Sequence, residues 1–135
     1  MSSPEDDLAE ASRILSQKAT EDATAVREFS ANHEIADSII GFHAQQAAEK
    51  WLKAVIVARH LKYERTHEIG RLLEVLKNDG CELPPASDQL DELTQYAVPL
   101  RYDQILDAES LDREATVTLV EEVGNWANAQ LRPGD

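Results

Sequence analysis

The chain has 135 residues, enough for one domain around one core and too few for two domains of ordinary size. Twenty-six acidic against thirteen basic residues give a formal charge of −13, which repels phosphate backbones at long range and argues against nonspecific nucleic-acid binding without a local basic patch. Five Gly and five Pro, with Pro84, Pro85 and Pro99 in one stretch, leave too few breaks for a sheet protein, and with only two Trp, three Tyr and two Phe the core must be filled by Leu, Val, Ile and Ala.

The first seven residues are acidic and polar, and no apolar run approaches the roughly 18 to 20 residues of a membrane span. From Leu8, the positions Leu8, Ala11, Leu15, Ala19, Val26 and Phe29 recur at helical spacing with Asp22 in the same stripe. They predict a first helix of about 25 residues, opened by Pro4 and acidic groups that suit a helix N-terminus. A second helix is predicted over residues 35–62, interrupted only by Gly41, and the short connection around residues 32–34 pairs the two antiparallel.

Thr66 is expected to cap a third helix over residues 67–77, with Ile69, Leu72, Leu73 and Leu76 as its apolar face and Asn78-Asp79-Gly80 as its stop. Cys81 follows in what reads as a loop; as the one cysteine it can form no internal disulfide, and a reducing, cytoplasmic setting is expected. Ser87 is expected to cap a fourth helix over residues 88–98, ended by Pro99. A last helix over residues 111–131 is expected to turn Ala115, Leu119, Val123 and Trp126 inward. With no repeat or hinge, the pattern predicts one all-α domain over residues 1–135, an up-and-down bundle of four to five helices with its core in residues 8–131.

On a wheel of 100° per residue, Ile39, His43, Gln46, Lys50, Val57 and Leu61 of the second helix share one line, on the face expected to be most buried. Ala47, Trp51, Ala54 and Ala58 flank it on one side, Glu49 and Lys53 on the other. In the plainer reading these polar groups edge a helix pair, Lys50 reaching solvent along its stem and Glu49 pairing with Lys53 one turn on. In the sharper one they form a buried network with Asp22, since a buried unpaired charge is costly.

The run Phe42-His43-Ala44-Gln45-Gln46-Ala47-Ala48-Glu49-Lys50-Trp51-Leu52-Lys53-Ala54 resembles the second-helix signature of HEPN domains. Ala19 with Asp22 resembles the family's Ala-x-x-Asp on the first helix. Arg65-Thr66-His67-Glu68-Ile69 followed by Leu72-Leu73 resembles its third-helix start, and Arg101-Tyr102 its Arg-Tyr turn, so the resemblance covers about residues 8–130.

It implies a helical bundle that forms a two-fold dimer, and, as for many small members, a minimal nucleotidyltransferase as partner in a toxin and antitoxin pair. Ribonuclease members carry an Arg, a polar spacer of four to six residues and a His near the last helix; two such motifs meet across the dimer, where Arg stabilises phosphate charge and His moves protons. Here Arg101 stands in a suitable place, but no His follows His67 anywhere in the chain, and Asp103, Asp107 and Glu109 would repel phosphate. Asp103 also stands where the family often has Pro after Arg-Tyr.

The expected function is therefore a non-nucleolytic binding protein, dimeric, acting with a nucleotidyltransferase-type partner or binding a nucleotide. Its candidate binding residues are Asp22, His43, Gln46, Glu49, Lys50, Lys53, His67, Arg101 and Tyr102. Alternatives are a ribonuclease toxin with a rearranged site built on Arg101 with His67 or His43, and a purely structural dimer subunit. No compact His/Cys/carboxylate ligand set or Gly-rich phosphate loop is present, so no metal or cofactor is expected.

Overall fold

A computed structural model describes residues 3–63, 65–97 and 110–132. Among the described residues there are five α-helices, α1 (Pro4–Ser30), α2 (Asp37–Ala58), α3 (Ile69–Asn78), α4 (Ser87–Glu92) and α5 (Arg113–Gln130), with a 3-10 turn, Leu93–Tyr96, continuing α4. The architecture is the all-α bundle that the helical spacing predicts.

The start of α1 follows from its sequence. Ser3 Oγ accepts from the Asp6 backbone N–H at 3.1 Å, the Asp6 carboxylate accepts from the Ser3 N–H at 3.4 Å, and Pro4 occupies the first turn, where its missing N–H costs nothing. Ser12 Oγ donates to the Ala54 carbonyl at 2.8 Å while Asp22 meets His43, so α1 and α2 run antiparallel.

Along α2 the fully enclosed face is Ile40, Ala44, Ala47, Ala48, Leu52 and Ile56, rather than the Ile39 line, whose first member is 43% exposed. Three small Ala side chains let neighbouring helices close on α2 from several sides, which leaves the His43-Gln46-Lys50 line at the border of the core. On α5 the inward residues are Thr116, Val120, Val123, Gly124, Trp126 and Ala127. Of the four expected inward, Val123 and Trp126 are buried, Leu119 is half-buried and Ala115 is exposed, because the face that meets α2 is rotated by one residue.

Gly124 sets the approach of α5 to α2. A Cβ there would stand 2.7 Å from Cη2 of Trp51, whose indole is buried at 4% exposure. Gly124→Val should therefore cost about 1 to 2 kcal/mol, seen as a lower midpoint in urea unfolding, because a rigid buried ring has nowhere to retreat.

The expected extent of α2 requires correction. It stops at Ala58, not Lys62, because His60 takes the left-handed conformation at φ 60°. Leu61 N–H then bonds the Ile56 carbonyl and His60 N–H the Val57 carbonyl, the paired bonds of a Schellman motif. The end of α3 uses the same pair, from Cys81 to Leu76 and from Gly80 to Lys77, with Gly80 at φ 78°. Glycine adopts that conformation freely and histidine does not. Replacing His60 by Gly should raise stability by about 0.5 to 1 kcal/mol, measured by chemical denaturation.

Two expected caps are likewise replaced. Thr66 Oγ1 accepts from Glu68 N–H and caps no helix. The leading N–H groups of α3, on Ile69 and Gly70, reach Thr94 Oγ1 at 3.1 Å and Asp91 Oδ1 at 2.9 Å. Ser87 Oγ donates back to the Pro84 carbonyl, and Ala86, left-handed at φ 56°, precedes α4. At α3, bonds to residues distant in the chain replace the local cap; at α4, the Ser87 hydroxyl turns back to the preceding loop instead of capping forward.

Early termination of α2 has a larger consequence. Residues 59–63 and 65–68 double back along α2, with Tyr63 beside Lys53 and His67 beside Glu49 and Gln45, before α3 runs in the same direction as α2 until Asp79 meets Arg59. This return segment borders the polar face of α2 opposite α1.

Candidate functional site

Two carboxylates, both deep in the fold, organise the polar residues of α2. Asp22, on α1 with its side chain 12% exposed, accepts from Lys50 Nζ at 2.6 Å through one oxygen, and its other lies 2.9 Å from His43 Nδ1. His43 is also held edge-on between Phe29 and Phe42, with ring centroids 5.6 and 5.4 Å away. Asp22 being acceptor-only, Nδ1 carries the shared proton and Nε2 remains for another partner.

Glu49, 6% exposed, is the second centre. Its Oε1 lies 2.9 Å from Gln45 Nε2 and 2.9 Å from His67 Nδ1, and its Oε2 accepts from Lys53 Nζ at 3.0 Å. Gln45 Nε2 also donates to the His67 carbonyl at 3.0 Å, and Gln45 Oε1 accepts from Gln46 at 2.7 Å. Burial acts to raise the Glu49 pKa, yet hydrogen bonds from Gln45, His67 and Lys53 and the Lys53 charge outweigh it and leave the carboxyl below its ordinary value. The ion thus stays charged in the fold's interior.

The structure thus assembles six of the expected residues into two clusters, Asp22-His43-Lys50 and Glu49-Lys53-His67, with Gln46 joined to the second through Gln45. Both readings of the stripe hold in part: Lys53 and Glu49 are an i,i+4 pair, but one drawn into a buried network. His67 lies two residues before α3, in the return segment, rather than in the helix. Arg101 and Tyr102 lie outside the described residues.

Gln45 and Tyr63 were not among the expected site residues. Gln45, fully buried, hydrogen-bonds Glu49 one turn further along α2, a spacing visible in the sequence; Tyr63, whose ring centroid lies 5.4 Å from Lys53 Nζ, depends on the return segment and leaves no such trace. Among the described residues, no group of three or more His, Cys, Asp and Glu could hold a metal ion.

With neutral imidazoles the two carboxylates and two ammonium groups balance. What remains outward is mixed: with Nδ1 carrying the proton, Nε2 of each His accepts, while the Lys ammonium groups keep further N–H donors and the Gln46 amide keeps its oxygen, beside the exposed Ile39. Such a face suits a ligand that both accepts and donates hydrogen bonds.

The family model described as HEPN domain matches residues 12–130. The chain belongs to the HEPN family. Searches of curated proteins and of solved structures found no match. In this HEPN chain the matched span takes in both carboxylate clusters, the return segment and α5. No helix among the described residues is long and apolar enough to cross a membrane.

Proposed function

We propose that this HEPN chain is a non-nucleolytic binding subunit, a two-fold dimer that uses the polar face of α2 to engage a nucleotide or a nucleotidyltransferase-type partner. The observation that carries this reading is that both carboxylates are committed to holding cations and rings in place: Asp22 on Lys50 and His43, Glu49 on Lys53 and His67. The face is then held ready to donate from its Lys ammonium groups and to accept at the two His Nε2 atoms, and the sequence offers no His after Arg101 for the family's cleavage chemistry.

Titration calorimetry with ATP, together with light scattering, tests it. Saturable binding to a dimer is expected, weakened about tenfold or more by Lys50→Ala, while total RNA incubated with the protein stays intact. No heat with ATP and no co-purification with a nucleotidyltransferase would leave the plain structural subunit as the better reading.

One observation favours a second reading, a rearranged ribonuclease. The His67 side chain is 69% exposed while Glu49 orients it through Nδ1, the arrangement of a general base. RNA degradation abolished by both His67→Ala and Arg101→Ala would establish that activity.

A further inference from the structure

A groove of about 460 Å³ lies between the return segment and α3, lined by residues other than those of the α2 clusters. That volume falls within the range of about 300 to 1,000 Å³ typical of small-molecule sites. Leu72 and Val75 give it an apolar lining, and Tyr63 an aromatic one. Lys62, Thr66, Arg71 and Asn78 supply its polar lining.

The charge around the groove opposes that of the whole chain. Of the charged residues that line it, Lys62 and Arg71 are basic and Glu74 is acidic, in a chain whose formal charge is −13. Lys62 is exposed and has no ion-pair partner among the described residues, whereas Arg71 Nε is fixed by Glu68 Oε2 at 2.7 Å. Glu74 also lines the groove and disfavours a second anionic group. A long polyanion would extend into the acidic remainder of the surface, so the chemistry favours a small ligand.

We propose that this groove binds a small organic anion, one carboxylate or phosphate group on a planar or apolar body, the head against Lys62 and Arg71 and the body over Leu72 and Val75 beside Tyr63. It adjoins the α2 face at Tyr63, whose ring also lies 5.4 Å from Lys53 Nζ, but holds its ligand on other residues.

Amide NMR of the full chain titrated with phenyl phosphate, benzoate, phenol and inorganic phosphate tests the assignment. Saturable shifts at Tyr63, Thr66, Val75 and Asn78 are expected with phenyl phosphate or benzoate, the tighter of the two identifying the head group, and much weaker ones with phenol or inorganic phosphate. Lys62→Glu and Asn78→Asp, both at exposed positions, should each weaken binding about three- to fivefold with thermal unfolding unchanged, and about 1 M salt should weaken it further. Shifts confined to the α2 face, equal binding of phenol, or indifference to both variants would overturn the proposal. ATP binding and its loss in Lys50→Ala read the α2 face separately.

Discussion

Arg113→Ala should be among the most damaging single substitutions outside the apolar core, lowering stability by about 3 kcal/mol and the melting temperature by roughly 10 °C. Arg113 opens α5, yet its guanidinium reaches across to the turn between α1 and α2. Nε donates to Asp37 Oδ1 at 2.9 Å, Nη2 to the Ile35 carbonyl at 2.6 Å, and Nη1 to the carbonyls of Asn32, Phe29 and Ser30 at 3.0, 3.3 and 3.3 Å.

The end of α1 leaves carbonyls with no partner in their own helix, and this one side chain satisfies several of them while pairing with Asp37 at the start of α2. Asp37 in turn accepts from Leu111 N–H at 3.0 Å, so the contact fastens the entry to α5 as well. Arg113→Lys should recover less than half of the loss, because a compact ammonium cannot span the same fork of acceptors. A double-mutant cycle with Asp37→Ala, read by urea denaturation, should show a coupling of about 1 kcal/mol or more; strict additivity would mean that the carbonyl contacts alone matter.

Glu49→Gln should cost about 2 kcal/mol at neutral pH and nearly nothing in acid. The substitution keeps the shape and one acceptor for Gln45, but it removes the charge facing Lys53, whose side chain is only 14% exposed. Glu49 has a folded-state pKa below its ordinary value of 4.5, so its contribution is complete above that value and fades as pH falls from about 4.5 through the lowered value. Wild-type stability should therefore drop more steeply than that of Glu49→Gln across this window, and the two curves should converge below it. Denaturation midpoints at a series of pH values between 7 and about 2.5 measure the difference; parallel curves would show that Glu49 is not held charged.

The two effects differ in how far the sequence announces them. Glu49 lies in the run from Phe42 to Ala54, and its pairing with Lys53 follows from helical spacing. Arg113 carries no such mark, because its acceptors are backbone carbonyls some eighty residues earlier and become a cluster only when α1, α2 and α5 meet.

The polar stripe is an intermediate case. Spacing aligns His43, Gln46 and Lys50 and suggests Asp22 as their neighbour, and the Asp22 contacts at 2.9 and 2.6 Å follow once α1 packs antiparallel on α2. The expectation that this line is the most buried face fails because hydropathy ranks the large residues Ile39, Val57 and Leu61 as core, whereas Ala44, Ala47 and Ala48 are enclosed by how closely neighbours approach them.

Taken alone, the sequence determined the helical class, the start of α1, the stop at Gly80, the antiparallel α1-α2 pair and the HEPN assignment, since each rests on short-range spacing or a contiguous run. The tertiary structure decided where α2 ends, which caps serve α3, what Arg113 joins, and that the return segment brings His67 and Tyr63 back over α2. All of these depend on backbone direction at a left-handed residue or on partners distant in the chain, and neither is encoded in the local alternation of polar and apolar side chains.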